Sequence, residues 1–217
     1  MYNDLQKGLI LILILVIAGC GDGKKYHDEQ STEMLESLDT DVASIIEFQK
    51  KLNKEFSDPE TSPLPDRYRK DFKGLDFFEP DTSYAVKATF LRTPDAMPFL
   101  MPTNTERMSM EVIFGIVTFQ LKGNTYELEV YQNEELKSQE GLEDYLFLPF
   151  TDATNGEETY GGGRYIDLKI PEGDLMVIDF NKAYNPYCAY NKKYSCPLVP
   201  KQNSLDIEIF AGVKAFK

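Results

Sequence analysis

Residues 112–132 read VIFGIVTFQLKGNTYELEVYQ: two alternating apolar runs on either side of Lys122-Gly123-Asn124-Thr125. Gly123-Asn124 suits a two-residue turn, since both residue types tolerate positive φ. If the turn closes on Lys122 and Thr125, Leu121 faces Tyr126, Phe119 faces Leu128 and Val117 faces Val130, while Glu127 and Glu129 point the other way. One apolar face and one charged face make the register self-consistent. The expectation is an antiparallel hairpin from Val112–Leu121 and Tyr126–Gln132.

The same alternation extends outward. Tyr84, Val86, Ala88 and Phe90 share one face of an earlier strand, and Tyr145–Phe150 is another short apolar strand. Arg164–Ile170 and Leu175–Phe180 flank Pro171-Glu172-Gly173-Asp174 and read as a second hairpin. Leu205, Ile207 and Ile209 alternate with Asp206 and Glu208 in a last strand. Short strands separated by turns, with no helices between them, predict a mainly β fold, an antiparallel barrel or sandwich. In front of it, residues 41–56 carry Val42, Ile45, Phe48, Leu52 and Phe56 at steps of three or four. That spacing predicts an N-terminal amphipathic helix, capped by Thr40 or Asp41 and strapped to the domain.

The N-terminus predicts export. Lys7 precedes the apolar run Leu9–Ala18, which is short for a span, and small residues lead to Cys20. This pattern resembles a bacterial lipoprotein signal, with cleavage before Cys20 and acyl chains on it; an uncleaved anchor is the alternative. Residues 1–19 are then signal peptide, 20–40 a polar tether and 41–217 a single domain. The expected location is the cell envelope, the chain facing periplasm or cell surface and held to the membrane by lipid on Cys20. A net charge of -13 argues against nucleic-acid partners, which need basic patches. The single histidine, His27, lies in the tether, so a Ser-His-Asp centre or a multi-histidine metal site is excluded from the main domain. No cofactor or metal motif is present.

Polar groups crowd between Phe150 and Pro200. In the register of the second hairpin, Leu168 meets Val177, Ile166 meets Asp179 and Arg164 meets Asn181. An apolar face would then end in Arg164, Asp179 and Asn181, either as a ligand cluster at a rim or as a structural ion pair. Asp152, Glu158, Tyr160 and Asn185 complete the candidate ligand site. Cys188 and Cys196 form an even pair once Cys20 is acylated. In an oxidising compartment they are expected to form a disulfide, worth about 2–3 kcal/mol for so short a loop. The leading expectation is a binding module for a small polar or anionic ligand. The alternative is an envelope hydrolase using carboxylates, tyrosine or cysteine; a structural envelope protein is third.

DFKGLDFF (71–78), FTDATNGEETYGGGRYIDL (150–168), DFNKAYNPYCAYNKKYSCPLVPKQN (179–203) and AGVKAF (211–216) resemble domain of unknown function (DUF) family 1684, the chain being a lipoprotein member. The resemblance covers the chain from about Val42 onward and carries over no activity. Its motif falls on Asp152, Thr154, Gly156, Thr159, Tyr160, Gly163, Arg164 and Tyr165. It continues on Asp179, Asn181, Tyr184, Asn185, Pro186, Cys188, Cys196, Pro197 and Asn203. The family implies that both cysteines also occur in members without export signals, which weighs against a disulfide.

Overall fold

The structure, a computed structural model, describes residues 41–216. The expected signal peptide, the expected tether with His27 and the expected lipidation site Cys20 lie outside the described residues. Seven antiparallel strands form one sheet curled into a half-barrel: β1 (Ala85–Arg92), β2 (Phe99–Pro102), β3 (Met108–Leu121), β4 (Asn124–Asn133), β5 (Tyr145–Phe150), β6 (Arg164–Lys169) and β7 (Leu175–Asp179). The order across the sheet is β6-β5-β4-β3-β1-β7, and β2 pairs with the start of β3.

The β3–β4 hairpin is present, shifted by two residues. Its turn is Lys122-Gly123, both at positive φ (48° and 84°), so Leu121 pairs with Asn124 and Phe119 with Tyr126. A two-residue turn with positive φ at both positions matches strand twist. Lys122 accepts that conformation and its ammonium reaches the Tyr84 hydroxyl at 2.6 Å. Because the shift is even, the faces stay as expected: Val117, Phe119, Leu121, Leu128 and Val130 are all buried.

The second expected hairpin does not form. β6 pairs with β5, and β7 pairs with β1 from Ala85–Asp179 to Thr89–Leu175. The curl brings the two end strands near each other, and Ile170–Asp174 bridges them instead of turning a ladder. One end of that bridge is bonded to the residue just before β5 (Ile170 N–H to Asp144 O, 2.8 Å) and the other to β1 (Phe90 N–H to Asp174 O, 2.7 Å). The expected last strand is also corrected. Leu205 and Ile209 are buried while Asp206 and Glu208 are exposed, but the segment joins no ladder. It lies along residues 151–153, bonded from Leu205 N–H to Thr151 O and from Ala153 N–H to Ile207 O.

Helix α1 (Val42–Ser57) forms as expected, with Asp41 accepting from the Ser44 amide at 2.7 Å. A one-turn helix α2 (Asp66–Arg69) follows. The inner face of the half-barrel is the main core, built from Phe90, Val117, Phe119, Leu128, Leu146, Leu148, Phe150, Ile166, Ile178 and Phe180. The outer face of β3 to β6 is apolar as well. Tyr131, Phe147 and Tyr165 cluster there with Met101 and Cys196, under the segment 184–199. A third cluster joins Leu52 and Phe56 of α1 to Leu64, Leu75, Tyr190 and Val213. The helix therefore sits on the outer side, over the same segment.

Candidate functional site

The polar residues singled out between Phe150 and Pro200 fall into separate groups. Arg164 is fully buried. Its Nη2 donates to Asp152 Oδ2 at 2.7 Å and to Ile209 O at 3.0 Å, its Nη1 donates to Ala211 O, and its guanidinium lies over the Phe150 ring. Asp152 Oδ1 accepts from the Thr154 amide and hydroxyl (3.0 and 2.6 Å) and from the Ile209 amide (3.2 Å). Burial pulls the Arg164 guanidinium's pKa down, and the Asp152 carboxylate opposes it. The partner of Arg164 is thus Asp152 of the preceding loop, and Asp179 lies on another strand that does not pair with β6.

Asp179 and Asn181 form a turn of their own. The Asn181 amide and Nδ2 both donate to Asp179 Oδ1, and Asn181 exchanges two hydrogen bonds with the Asp81 backbone. Asn185 Nδ2 donates to Lys214 O at 2.9 Å. Asn203, fully buried, donates to Glu129 O and Pro149 O and accepts from the Glu129 amide. Glu158 is exposed, and Tyr160 is half-buried against the cysteines. The polar motif residues mostly sew the C-terminal segment onto the half-barrel; they do not converge on one cavity.

Gly163 places Arg164. Its φ is +90°, and a Cβ there would lie 2.6 Å from Val199 Cγ2 and 2.7 Å from Phe150 O. Gly163→Ala is expected to cost about 2 kcal/mol through forced displacement and strained backbone, read as a lower midpoint in urea unfolding.

Cys188 and Cys196 stand side by side as free thiols. The Cys188 amide donates to Cys196 Sγ at 3.2 Å, so the loop is held by hydrogen bonds. The Asn104 side chain accepts from the Cys196 amide, and Leu198 N–H donates to Pro102 O.

Two of the concave features lie on the outer face. A cavity of about 370 Å³ is bounded by Phe48, Lys51, Leu52 and Glu55 of α1, by Tyr165 and Asp167 of β6, and by Tyr184, Tyr187, Tyr194, Cys196 and Pro197. Asp167 Oδ1 accepts from the hydroxyls of Tyr184 (2.6 Å) and Tyr145 (2.9 Å). Burial, with Asp167 beside them, pushes both phenols well above their ordinary range, so they remain donors at neutral pH. A second cavity of about 310 Å³ shares Tyr165, Tyr184 and Pro197 with the first, and reaches Arg107, Ser109, Glu111, Asn133 and Tyr145.

Glu111 is the unusual residue there. It is 2% exposed. Its Oε1 accepts from Ser109 Oγ and Asn133 Nδ2, both at 2.7 Å, while Oε2 is buried with no hydrogen-bond partner. Burial raises its pKa, against the pull of those two hydrogen bonds. Asp179 Oδ2 also lacks a hydrogen bond, but Lys182 Nζ stands 3.5 Å away. Among the described residues no cluster of three His, Cys, Asp or Glu side chains is arranged to hold a metal.

Sequence reasoning passed over Glu111, Asp167 and Tyr145 as site residues, and met Tyr165 and Tyr184 only within the family motif. One signal was present: in YLFLPF and RYIDL both faces are rich in apolar or aromatic residues, and a strand covered on both sides reads that way.

Comparison with solved structures finds a similar chain, the uncharacterized protein from gene locus rrnAC0354 of Haloarcula marismortui, solved by solution NMR. It shares 31% identity at a TM-score of 0.63, over 86% of this chain and 97% of that one. No curated protein matches. The model of a protein family of unknown function, DUF1684, matches residues 70–214. The match over residues 70–214 places this chain in the DUF1684 family.

Proposed function

We propose that the protein is a binding module for a small polar molecule carrying hydroxyl or amine donors, held between Glu111 and the tyrosines of β5 and β6. The observation that carries this reading is the buried, unpartnered Glu111 Oε2 on a residue lining a cavity. Leaving a buried acceptor unpaired costs about 1–3 kcal/mol, more for a charged group. A ligand donor would recover that cost. The phenolic faces of Tyr165 and Tyr184 supply apolar contact, and the shared lining lets a ligand extend towards α1. A carboxylate at the centre disfavours an anionic group at that end. In this reading the module is tethered at the cell envelope by acyl chains on Cys20, as the export signal suggests.

The test is a thermal-shift panel of hexoses, nucleosides and amino alcohols on wild type and Glu111→Gln. A panel compound is expected to raise the wild-type Tm and leave that of Glu111→Gln unmoved, because the amide presents donors where the acceptor stood. Equal stabilisation of both, or of neither by any compound, would sink the proposal.

A pH series adds a check that needs no ligand. Because burial raises the folded-state pKa of Glu111, the folded protein holds this proton more tightly than the unfolded chain. Stability from this group is therefore greatest below the ordinary carboxyl range, about 4.3, and falls as pH rises through the folded value. The stability of Glu111→Gln relative to wild type is expected to rise with pH across that window.

A further inference from the structure

We propose that Cys188 and Cys196 are a redox-active thiol pair that exchanges with the disulfides of small thiols, Cys188 attacking and Cys196 resolving. Three observations carry this. The two thiols are free and in contact, the Cys188 amide donating to Cys196 Sγ at 3.2 Å. Their exposure is unequal: Cys188 is partly exposed and Cys196 is 7% exposed. Cys196 also lines the cavity under α1, so an opening stands beside the pair.

The surroundings divide the two roles. The Cys196 thiol's hydrogen bond lowers the Cys188 thiol to about 7; burial opposes it, and the Tyr160 hydroxyl and the backbone of Cys188 and Ala189 assist. Cys196 is pushed far up by its interaction with Cys188 and then by burial, with Arg107 pulling weakly the other way. Exchange runs through the thiolate, so the acidified and accessible sulfur reacts first. Tyr160, which the motif carries and which stands apart from the Glu111 cavity, here acts as a positioning residue for Cys188.

The chemistry balances with a small-thiol disulfide, RSSR, as oxidant. The Cys188 thiolate attacks one sulfur of RSSR; the S–S bond breaks and RS⁻ leaves, taking up the proton Cys188 released. Cys196 then loses its proton and attacks Cys188 Sγ. The mixed disulfide breaks, and the second RS⁻ leaves with that proton. Two protein thiols and one RSSR become one protein disulfide and two RSH, with two electrons passing to the small thiol.

The experiment treats the full chain with glutathione disulfide near neutral pH, blocks remaining thiols with N-ethylmaleimide and maps tryptic peptides. Cleavage at Lys192 and Lys193 separates the two cysteines, and Cys20 falls in a different peptide. Wild type is expected to give linked peptides containing Cys188 and Cys196. Cys196→Ser is expected to trap glutathione on Cys188 faster than Cys188→Ser traps it on Cys196, because Cys188 is the more accessible sulfur. Wild type that stops at the glutathione adduct, stays reduced, or links through Cys20 would overturn the proposal. So would equal trapping rates in the two variants. The wild-type result stands even if a variant folds poorly, and it does not depend on what the Glu111 cavity binds.

Discussion

Arg164→Met is expected to destabilise the protein by about 3–5 kcal/mol, the usual cost of breaking a buried ion pair from one side. For a domain of this size that lowers Tm by roughly 10 °C. Methionine fills much of the space, so lost volume is the smaller part. What remains is the Asp152 carboxylate without its cation, and the carbonyls of Ile209 and Ala211 without their buried donors. Asp152 keeps its bonds from Thr154 and the Ile209 amide, so it stays in place as an uncompensated charge. The double variant Arg164→Met/Asp152→Asn removes both charges and is expected to recover part of the loss. A double-mutant cycle by urea denaturation measures this. Strict additivity would contradict the pairing. The expected loss exceeds that for Gly163→Ala because the pair anchors residues 209–211 directly.

Phe56→Ala is expected to cost about 3–5 kcal/mol, within the range for truncating a buried aromatic residue. Phe56 is 1% exposed and meets Tyr190 edge-on at 4.7 Å, with Phe72 and Tyr187 further around the ring. The loss would not be spread evenly. Together with Leu52, Phe56 is the main apolar link between α1 and the segment 184–190, so amide exchange should rise most along α1. Helix residues Phe48, Lys51, Leu52 and Glu55 also wall the cavity under α1. Loosening the helix is therefore expected to weaken any ligand that extends under it. Uniform exchange protection along the chain in the variant would contradict the picture of α1 as a strap.

The two hairpin readings show what a local pattern can and cannot carry. For β3 and β4, the turn and the alternation agree and leave only a two-residue uncertainty, resolved by Lys122 at φ 48°. For β6 and β7, the turn signal at Pro171–Asp174 was equally clear, and adjacent strands usually do pair. Here each found a longer ladder elsewhere, β6 with β5 and β7 with β1, because the sheet curls. That partner choice is non-local and leaves no mark in either strand. The placement of Arg164 beside Asn181 and Asp179 inherited the error. Its bond to Asp152, twelve positions away, depends on the loop folding back over the sheet end.

The candidate cavity was harder to read. In MSMEVIF, Ser109 and Glu111 occupy one face and Met108 and Met110 the other, a pattern that suggests the polar face is wet. The structure reverses it: Ser109 and Glu111 are buried and both methionines are exposed. The reversal follows from the outer face being covered by residues 184–199, whose packing depends on aromatic contacts such as Tyr165–Tyr184 and Tyr187–Tyr194. YLFLPF and RYIDL signal a cover over β5 and β6, but nothing in MSMEVIF extends it to Glu111.

The most direct test of the central claim is amide chemical-shift mapping of the labelled chain, titrated with hexoses, nucleosides and amino alcohols. The expected result is that a donor-bearing compound shifts amides around Ser109–Glu111, Asn133, Tyr145, Tyr165 and Tyr184, and that Glu111→Gln abolishes the shifts. Shifts centred on Asp179 and Asn181, or none with any compound, would contradict the account.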